Sequence, residues 1–275
     1  MDTVKNFLAV QNSITHIKAY KKKSVTNFFH DELTVSKWIE KGIFYSIEIL
    51  EVLFLVKKKD GFDSLFFIAS SINELQVSLP LLVNRFPDSI FVTDLIVKEA
   101  NSEIISVFKQ HYFNEYTSLV RMSRMVSNPS LNFELKINLK EASINQIDEI
   151  NSLFVKYFDP MAEQLPNKLD LITWVESGSL LVYEIDSKIC GFIIYDLNGV
   201  SLYLRYWFVH PDYREQKIGS FLFNYFLYKG KNTKRQLFWV IKTNENAIKR
   251  YRHYGFIEEK MYNFVMINRN KKYER

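Results

Sequence analysis

A single cysteine, Cys190, stands in this chain of 275 residues, so no internal disulfide can stabilise the fold. It falls in the apolar run Lys188-Ile189-Cys190-Gly191-Phe192-Ile193-Ile194, where it reads as a small core residue and not a nucleophile. Glycine and proline are scarce, at 8 and 6, which excludes collagenous, low-complexity and linker-dominated architectures and makes each glycine informative. No apolar run approaches the ~20 residues of a membrane span. The opening Met1-Asp2-Thr3-Val4-Lys5-Asn6-Phe7 lacks the basic and apolar regions of a secretory signal. A cytoplasmic address, with no membrane partner, is the expectation.

What the sequence does have is apolar surface. A hydrophobic fraction of 47%, with 23 Phe and 16 Tyr, is ample for a globular core. Domains of roughly 100 to 150 residues make two units the first expectation for this length. A net charge of +5 favours anionic ligands. The clusters Lys21-Lys22-Lys23 and Lys229-Gly230-Lys231-Asn232-Thr233-Lys234-Arg235 lack interleaved stacking aromatics and read as solvated loops. Nucleic acid is therefore not the expected partner, a basic RNA-contacting patch being the alternative.

Apolar spacing predicts amphipathic helices carrying Phe7, Leu8, Ile14 and Ile17, then Leu33, Trp38, Ile39 and Phe44. Strands follow over 49–56 and 64–69, linked by a turn containing Asp60-Gly61. A helix over 72–83, a strand over 90–97, a helix over 102–110 and a strand over 116–125 complete the first half. The turn-forming Ser127-Asn128-Pro129-Ser130 is the expected boundary, giving domains 1–129 and 130–275. The second half reads as a strand over 133–139, helices from about 143 and 169, a hairpin of strands 180–185 and 189–197, and a strand over 201–209. A helix over 218–228, a strand over 236–241, a helix over 245–253 and a strand over 256–267 end the series. An α/β (α+β) layered fold with a mixed, mostly antiparallel sheet is implied. A faint repeat places Asn101, Ile105, Phe108 and Phe113 at the offsets of Asn244, Ile248, Tyr251 and Phe256, with Tyr112 standing where Gly255 does.

The chemistry concentrates in Tyr206-Trp207-Phe208-Val209-His210-Pro211-Asp212-Tyr213-Arg214-Glu215-Gln216-Lys217-Ile218-Gly219-Ser220. It reads as a strand ended by proline, a polar loop and a helix start, whose first-turn amides and dipole suit a phosphate dianion. Gly219 allows close approach, and Arg214, Gln216 and Lys217 add donors and charge.

This segment resembles motif A of the GCN5-related N-acetyltransferase (GNAT) superfamily. Its loop here is Arg214-x-x-Lys217-x-Gly219, with Lys217 where the first glycine is usual. A second stretch, Asn244-Glu245-Asn246-Ala247-Ile248-Lys249-Arg250-Tyr251-Arg252-His253-Tyr254-Gly255-Phe256, is similar to the family's Asn-x-x-Ala-x-x-x-Tyr-x-x-x-Gly-Phe pattern. The resemblance covers about 139–267 and implies a GNAT sheet in which the strand ending at Val209 splays from strand 236–241. It implies acetyl-CoA or another acyl-CoA as co-substrate, bound by Phe208, Val209, Arg214, Gln216, Lys217, Ile218, Gly219, Ser220 and Asn244, with no metal. The first half, lacking a phosphate loop at Ala69-Ser70-Ser71-Ile72-Asn73, is expected to be a smaller, degenerate GNAT-like unit.

The same resemblance makes Tyr251 the general acid. Strand 201–209 carries no acidic residue, so the general base is sought in Glu184, then Glu163, then His210. Arg205 and Glu163 are the residues expected to bind the acceptor. The implied function is N-acyl transfer to a primary amine of a small molecule, amino sugar or peptide, by a monomer or homodimer. An aminoacyl-tRNA-dependent transferase and a non-catalytic acyl-CoA-binding module are the competing readings.

Overall fold

The computed structural model describes residues 1–20, 23–99, 102–126 and 138–268. The chain divides into two compact units, Met1–Leu119 together with the chain from Lys260, and Val120–Glu259. This differs from the expected 1–129 and 130–275, because the chain's last strand pairs with a strand of the first unit. Residues 127–130, the expected boundary, and most of the expected strand 133–139 lie outside the described residues.

The first unit begins with β1 (Asp2–Thr3), α1 (Phe7–Ala19), β2 (Val25–Thr26) and α2 (Glu32–Glu40). It continues through β3 (Phe44–Ile49), β4 (Val52–Lys59), β5 (Phe62–Ala69), α3 (Ile72–Arg85), β6 (Phe91–Val97) and α4 (Glu103–Gln110). Then β7 (Phe113–Met125) runs on into the second unit. The expected strand 49–56 is two strands, turned at Leu50, which takes the left-handed φ of 52°. Phe44, expected on a helix, starts β3 and is buried.

Alternation along β4 and β5 builds two cores. Phe54, Val56, Leu65 and Phe67 pack with α3 and α4 residues such as Leu79 and Phe108. Leu53, Leu55, Phe66 and Ile68 pack on the other face with Ile17, Val35 and Trp38 of α1 and α2. Each such side chain contributes roughly 1.5–3 kcal/mol on burial.

In the second unit come β8 (Leu139–Glu141), α5 (Ile147–Tyr157), α6 (Lys168–Glu176), β9 (Leu180–Ile185), β10 (Lys188–Asn198) and β11 (Ser201–Val209). They are followed by α7 (Ile218–Lys229), β12 (Arg235–Ile241), α8 (Glu245–His253) and β13 (Ile257–Asn268). Its strands are ordered β7-β12-β11-β10-β9-β8, and those of the first unit β1-β3-β4-β5-β6-β13, with β2 beside β5. Pairs from Tyr262↔Val97 to Ile267↔Val92 fix β13 antiparallel to β6. Phe154, Leu171, Phe192, Ile194 and Phe208 form a core under α5 and α6, and α7 packs on β10 and β11. Gly191 is required there: a Cβ would meet the Phe208 carbonyl at 2.8 Å.

Among the described residues each unit contains one parallel strand pair that opens. In the first, β5 and β6 pair only at Asp63↔Phe91 and Ser64↔Val92. In the second, β11 and β12 pair only from Ser201↔Arg235 to Tyr203↔Leu237. The two openings are filled differently. In the first, β2 lies against β5 at Val25↔Ala69 and Thr26↔Ile68. Asn27 Nδ2 then donates to Leu65 O (3.3 Å), Thr93 Oγ1 (2.8 Å) and Asp94 O (3.2 Å), while its Oδ1 accepts from Phe67 N (2.8 Å). The backbone groups that separation leaves without a ladder partner are thus satisfied by a polar segment of the chain itself.

The repeat seen in the sequence has a conformational counterpart. Tyr112 after α4 and Gly255 after α8 both take positive φ, 69° and 82°, ending their helices the same way. Phe108 and Tyr251 are buried at matching positions, whereas Asn101 lies outside the described residues.

Candidate active site

Beyond Tyr203 the edge of β11 that faces β12 has no partner strand among the described residues, and this open stretch carries Tyr206, Trp207, Phe208 and Val209. On its other side β11 stays paired with β10, except that the register passes from Ile194↔Tyr206 to Tyr195↔Leu204. Arg205 is the extra residue of that bulge, which bends the strand where the opening begins. The side chains after the bulge alternate. Phe208 and Tyr206 turn to the α5 and α6 core. Trp207 turns to Phe223 of α7 and Tyr251 of α8, at ring-centroid distances of 5.0 and 5.9 Å.

After Val209, residues Pro211–Gln216 form a 3-10 turn, and Lys217 adopts φ 61° before α7 starts. This left-handed geometry explains why related loops favour glycine at that position; a lysine takes it at a cost of about 1 kcal/mol. No side chain caps α7. The first helical amide to reach a backbone carbonyl is that of Phe221, on Lys217 O at 3.1 Å. The amides before it have no acceptor among the described residues, with the positive end of the helix dipole behind them.

Arg214, Gln216, Lys217 and Ser220 are exposed around this mouth, while Ile218 is buried beneath it. Gly219 packs close on β11: a Cβ would stand 3.2 Å from Trp207 Cζ2 and 3.4 Å from Val209 Cγ2. In the first unit the corresponding helix start is closed. Ser71 caps α3 by accepting from Glu74 N, and Ser70 Oγ, just before the helix, donates to the Glu51 carboxylate at 2.5 Å.

Tyr251 is 8% exposed and packs on Phe238 of β12 (4.5 Å) as well as on Trp207, so it touches both walls of the opening. Burial pushes its hydroxyl well above the ordinary tyrosine value, keeping the proton on at neutral pH. Trp207 Nε1 is buried and has no acceptor among the described residues. An uncapped helix start, a close-packed glycine and an orphaned donor beside an opened strand pair together fit a pyrophosphate and an extended amide-bearing arm.

The other predicted residues are distributed more widely. Asn244 caps α8, accepting from Ala247 N at 3.2 Å. Glu184 is on β9, two strands from the opening, where Lys140 Nζ (3.0 Å) and Gln146 Nε2 hold its carboxylate. The structure does not bring this first-choice base to the open strands. Glu163, in the loop between α5 and α6, is half-buried, and burial raises its pKa above the usual carboxylate value. It accepts from Asp159 N at 3.1 Å and lies near enough to Tyr206 to bear on that hydroxyl's ionisation.

His210 Nε2 meets Tyr157 Oη at 2.9 Å, and Arg205 is ion-paired with Asp196, which also accepts from Trp174 Nε1 at 2.7 Å. Tyr157, Tyr206 and Trp207 were not singled out from the sequence. The run of aromatics Tyr206-Trp207-Phe208 at the end of a strand was the available signal. Cys190 is buried, as expected. Among the described residues no cluster of His, Cys, Asp and Glu could hold a metal ion, and no helix is long and apolar enough to cross a membrane.

An opened parallel strand pair beside an uncapped helix, in a mostly antiparallel sheet flanked by helices, defines the GNAT fold, here in tandem. Residues 147–256 match the family model described as "Acetyltransferase (GNAT) family", so the second unit carries a GNAT-family domain. The first half resembles the same fold. Among solved structures, a GNAT-family acetyltransferase from Colwellia psychrerythraea superposes with TM-score 0.53 at 12% identity, covering 95% of this chain and 96% of that one. A GCN5-related N-acetyltransferase from Kribbella flavida gives TM-score 0.56 at 13% identity, covering 87% and 96%. A tandem GNAT protein from the clavulanic acid biosynthesis pathway gives 0.53 at 8%, covering 78% of each chain. No curated protein matches the sequence.

Proposed function

We propose that the second unit is an acyl-CoA-dependent N-acyltransferase acting on a primary amine. The observation that carries this reading is the opening between β11 and β12 next to the uncapped start of α7. In it, the amides at 218–220, with Arg214, Gln216 and Lys217 around them, hold the pyrophosphate, and Asn244 keeps α8 in place by capping it. The free edge of β11 at Phe208 and Val209 offers backbone groups to the pantetheine arm and the acyl carbonyl.

The acceptor approaches from the α5 and α6 face, where Tyr206 and Glu163 lie. Glu163 replaces Glu184 as the base, because it lies near Tyr206 on the open part of β11 and its carboxyl is held above the usual value by burial, whereas Glu184 is two strands away. It takes a proton from the amine, nitrogen forms a bond to the acyl carbon, and the carbon–sulfur bond breaks. Tyr251, held protonated by burial, gives its proton to the departing sulfur.

The test follows thiol release from acetyl-CoA against pH with a pooled amine library. Activity rises as Glu163 loses its proton, on a limb displaced upward from ordinary carboxylates because its pKa is raised. Glu163→Gln removes that limb and lowers kcat about 100-fold. An unchanged pH profile in this variant takes Glu163 out of the mechanism.

A further inference from the structure

The sheet face that receives the acceptor also carries an unbalanced pair of arginines. Phe238 of β12 faces α7 and α8, so by strand alternation Trp239 faces the opposite side, the side of Tyr206. The Arg121 guanidinium stands over the Trp239 ring, 5.8 Å from its centroid, on the stretch of β12 that no longer pairs with β11. Arg121 Nε binds Glu259 Oε2 at 2.5 Å, and Arg235 Nη2 binds Oε1 of the same carboxylate. Ser123 Oγ also donates to it, at 2.5 Å.

Among the described residues neither arginine has another ion-pair partner, so two cations share one anion. Their side chains are only 23% and 31% exposed. Burial lowers both, and Arg121 lowers Arg235 further, which shows that the two charges feel each other. The neighbouring Arg205 brings no spare anion, because Asp196 is matched to it one to one. Between Arg121 and Arg205 lies Tyr203, close enough to both for its hydroxyl to respond to them.

Resting on the acyl-transfer reading above, we propose that the acceptor amine carries an anionic group, a carboxylate or a phosphate, which docks against Arg121 and Arg235 beside Trp239. A second anion completes what Glu259 half-neutralises, and the partly buried setting makes charge-assisted hydrogen bonds to it strong. Trp239 supplies a flat wall for the carbon atoms between the anion and the amine. Neutral amines leave the cation excess in place and bind less well.

Ethanolamine, glycine, β-alanine and O-phosphoethanolamine are compared as acceptors by thiol release. Their effect on melting temperature is read on the same protein with coenzyme A present. The anionic amines are expected to exceed ethanolamine in kcat/KM by roughly 10- to 100-fold and to be alone in raising the melting temperature. The better of the carboxylate and phosphate series names the group.

Arg121→Gln is expected to raise KM for the anionic amines by a similar factor, with kcat and the acetyl-CoA Kd unchanged. It leaves Glu259 in a one-to-one pair with Arg235, so the fold is retained; Arg235→Gln is the matching variant. Ethanolamine used as well as the anionic amines, with KM indifferent to both substitutions, overturns the proposal and leaves acyl transfer standing. Failure of acetyl-CoA to bind overturns the acyl-transfer reading instead. In that event the anion-dependent melting shift, lost or kept in Arg121→Gln, still decides the anion site.

Discussion

The chain contains the same device twice, and the two copies differ in what fills it. Parallel strands separate after two residue pairs in the first unit and after three in the second. In the first, Thr26 and Asn27 occupy the separation, and Ser71 and Glu51 close the adjoining helix start. In the second, β11 keeps a free edge and α7 an uncapped first turn. An opened sheet is thus not by itself a ligand site. The fold creates the unsatisfied backbone, and local polar residues decide whether the chain itself satisfies it or leaves it open.

Three substitutions sharpen the contrast, in falling order of effect. Gly219→Glu sets a carboxylate at the α7 mouth and crowds Trp207 and Val209, so acetyl-CoA affinity falls by about 100-fold or more in a calorimetric titration. Affinity within a few-fold of the parent contradicts the assignment of that mouth. Tyr251→Phe keeps the ring packing on Phe238 and Trp207, so affinity holds while kcat drops by about 100-fold. If turnover is unchanged, another group protonates the thiolate.

Asn27→Ala is the smallest in function and acts on the other copy. It removes the contacts to Leu65, Thr93, Asp94 and Phe67, costing about 3 kcal/mol in denaturant unfolding. Acetyl-CoA affinity and turnover stay as they were, because the first unit's mouth remains closed. A loss of turnover would give the filled opening a part in catalysis.

The periodic parts of this fold were legible in the sequence. Helices α3, α4, α7 and α8, and the strands from β9 to β12, follow from apolar spacing and from turn residues at their ends. The strand exit and the start of α7 were legible too, since Pro211 and Gly219 mark the end of β11 and a close approach to it. What escaped is held by polar or long-range contacts. Strand β2 spans two residues and is defined by the hydrogen bonds of Thr26 and Asn27, not by an apolar period.

The place of β13 beside β6 depends on a pairing about 170 residues apart, shown also by Asn263 Nδ2 donating to Asp94 Oδ1 at 2.7 Å. Residue spacing carries no trace of it. Glu184 drew notice as a carboxylate on a strand, yet its partners Lys140 and Gln146 come from another strand and a helix start. Lys217 broke the family pattern in letters while keeping the backbone angle that the pattern encodes.

The most direct measurement is the number of acetyl-CoA molecules bound per chain. Calorimetry or native mass spectrometry on the parent protein is expected to give one, and on Gly219→Glu none. Two per chain, or one that survives Gly219→Glu, would contradict the account, because the coenzyme would then occupy an opening other than the one between β11 and β12.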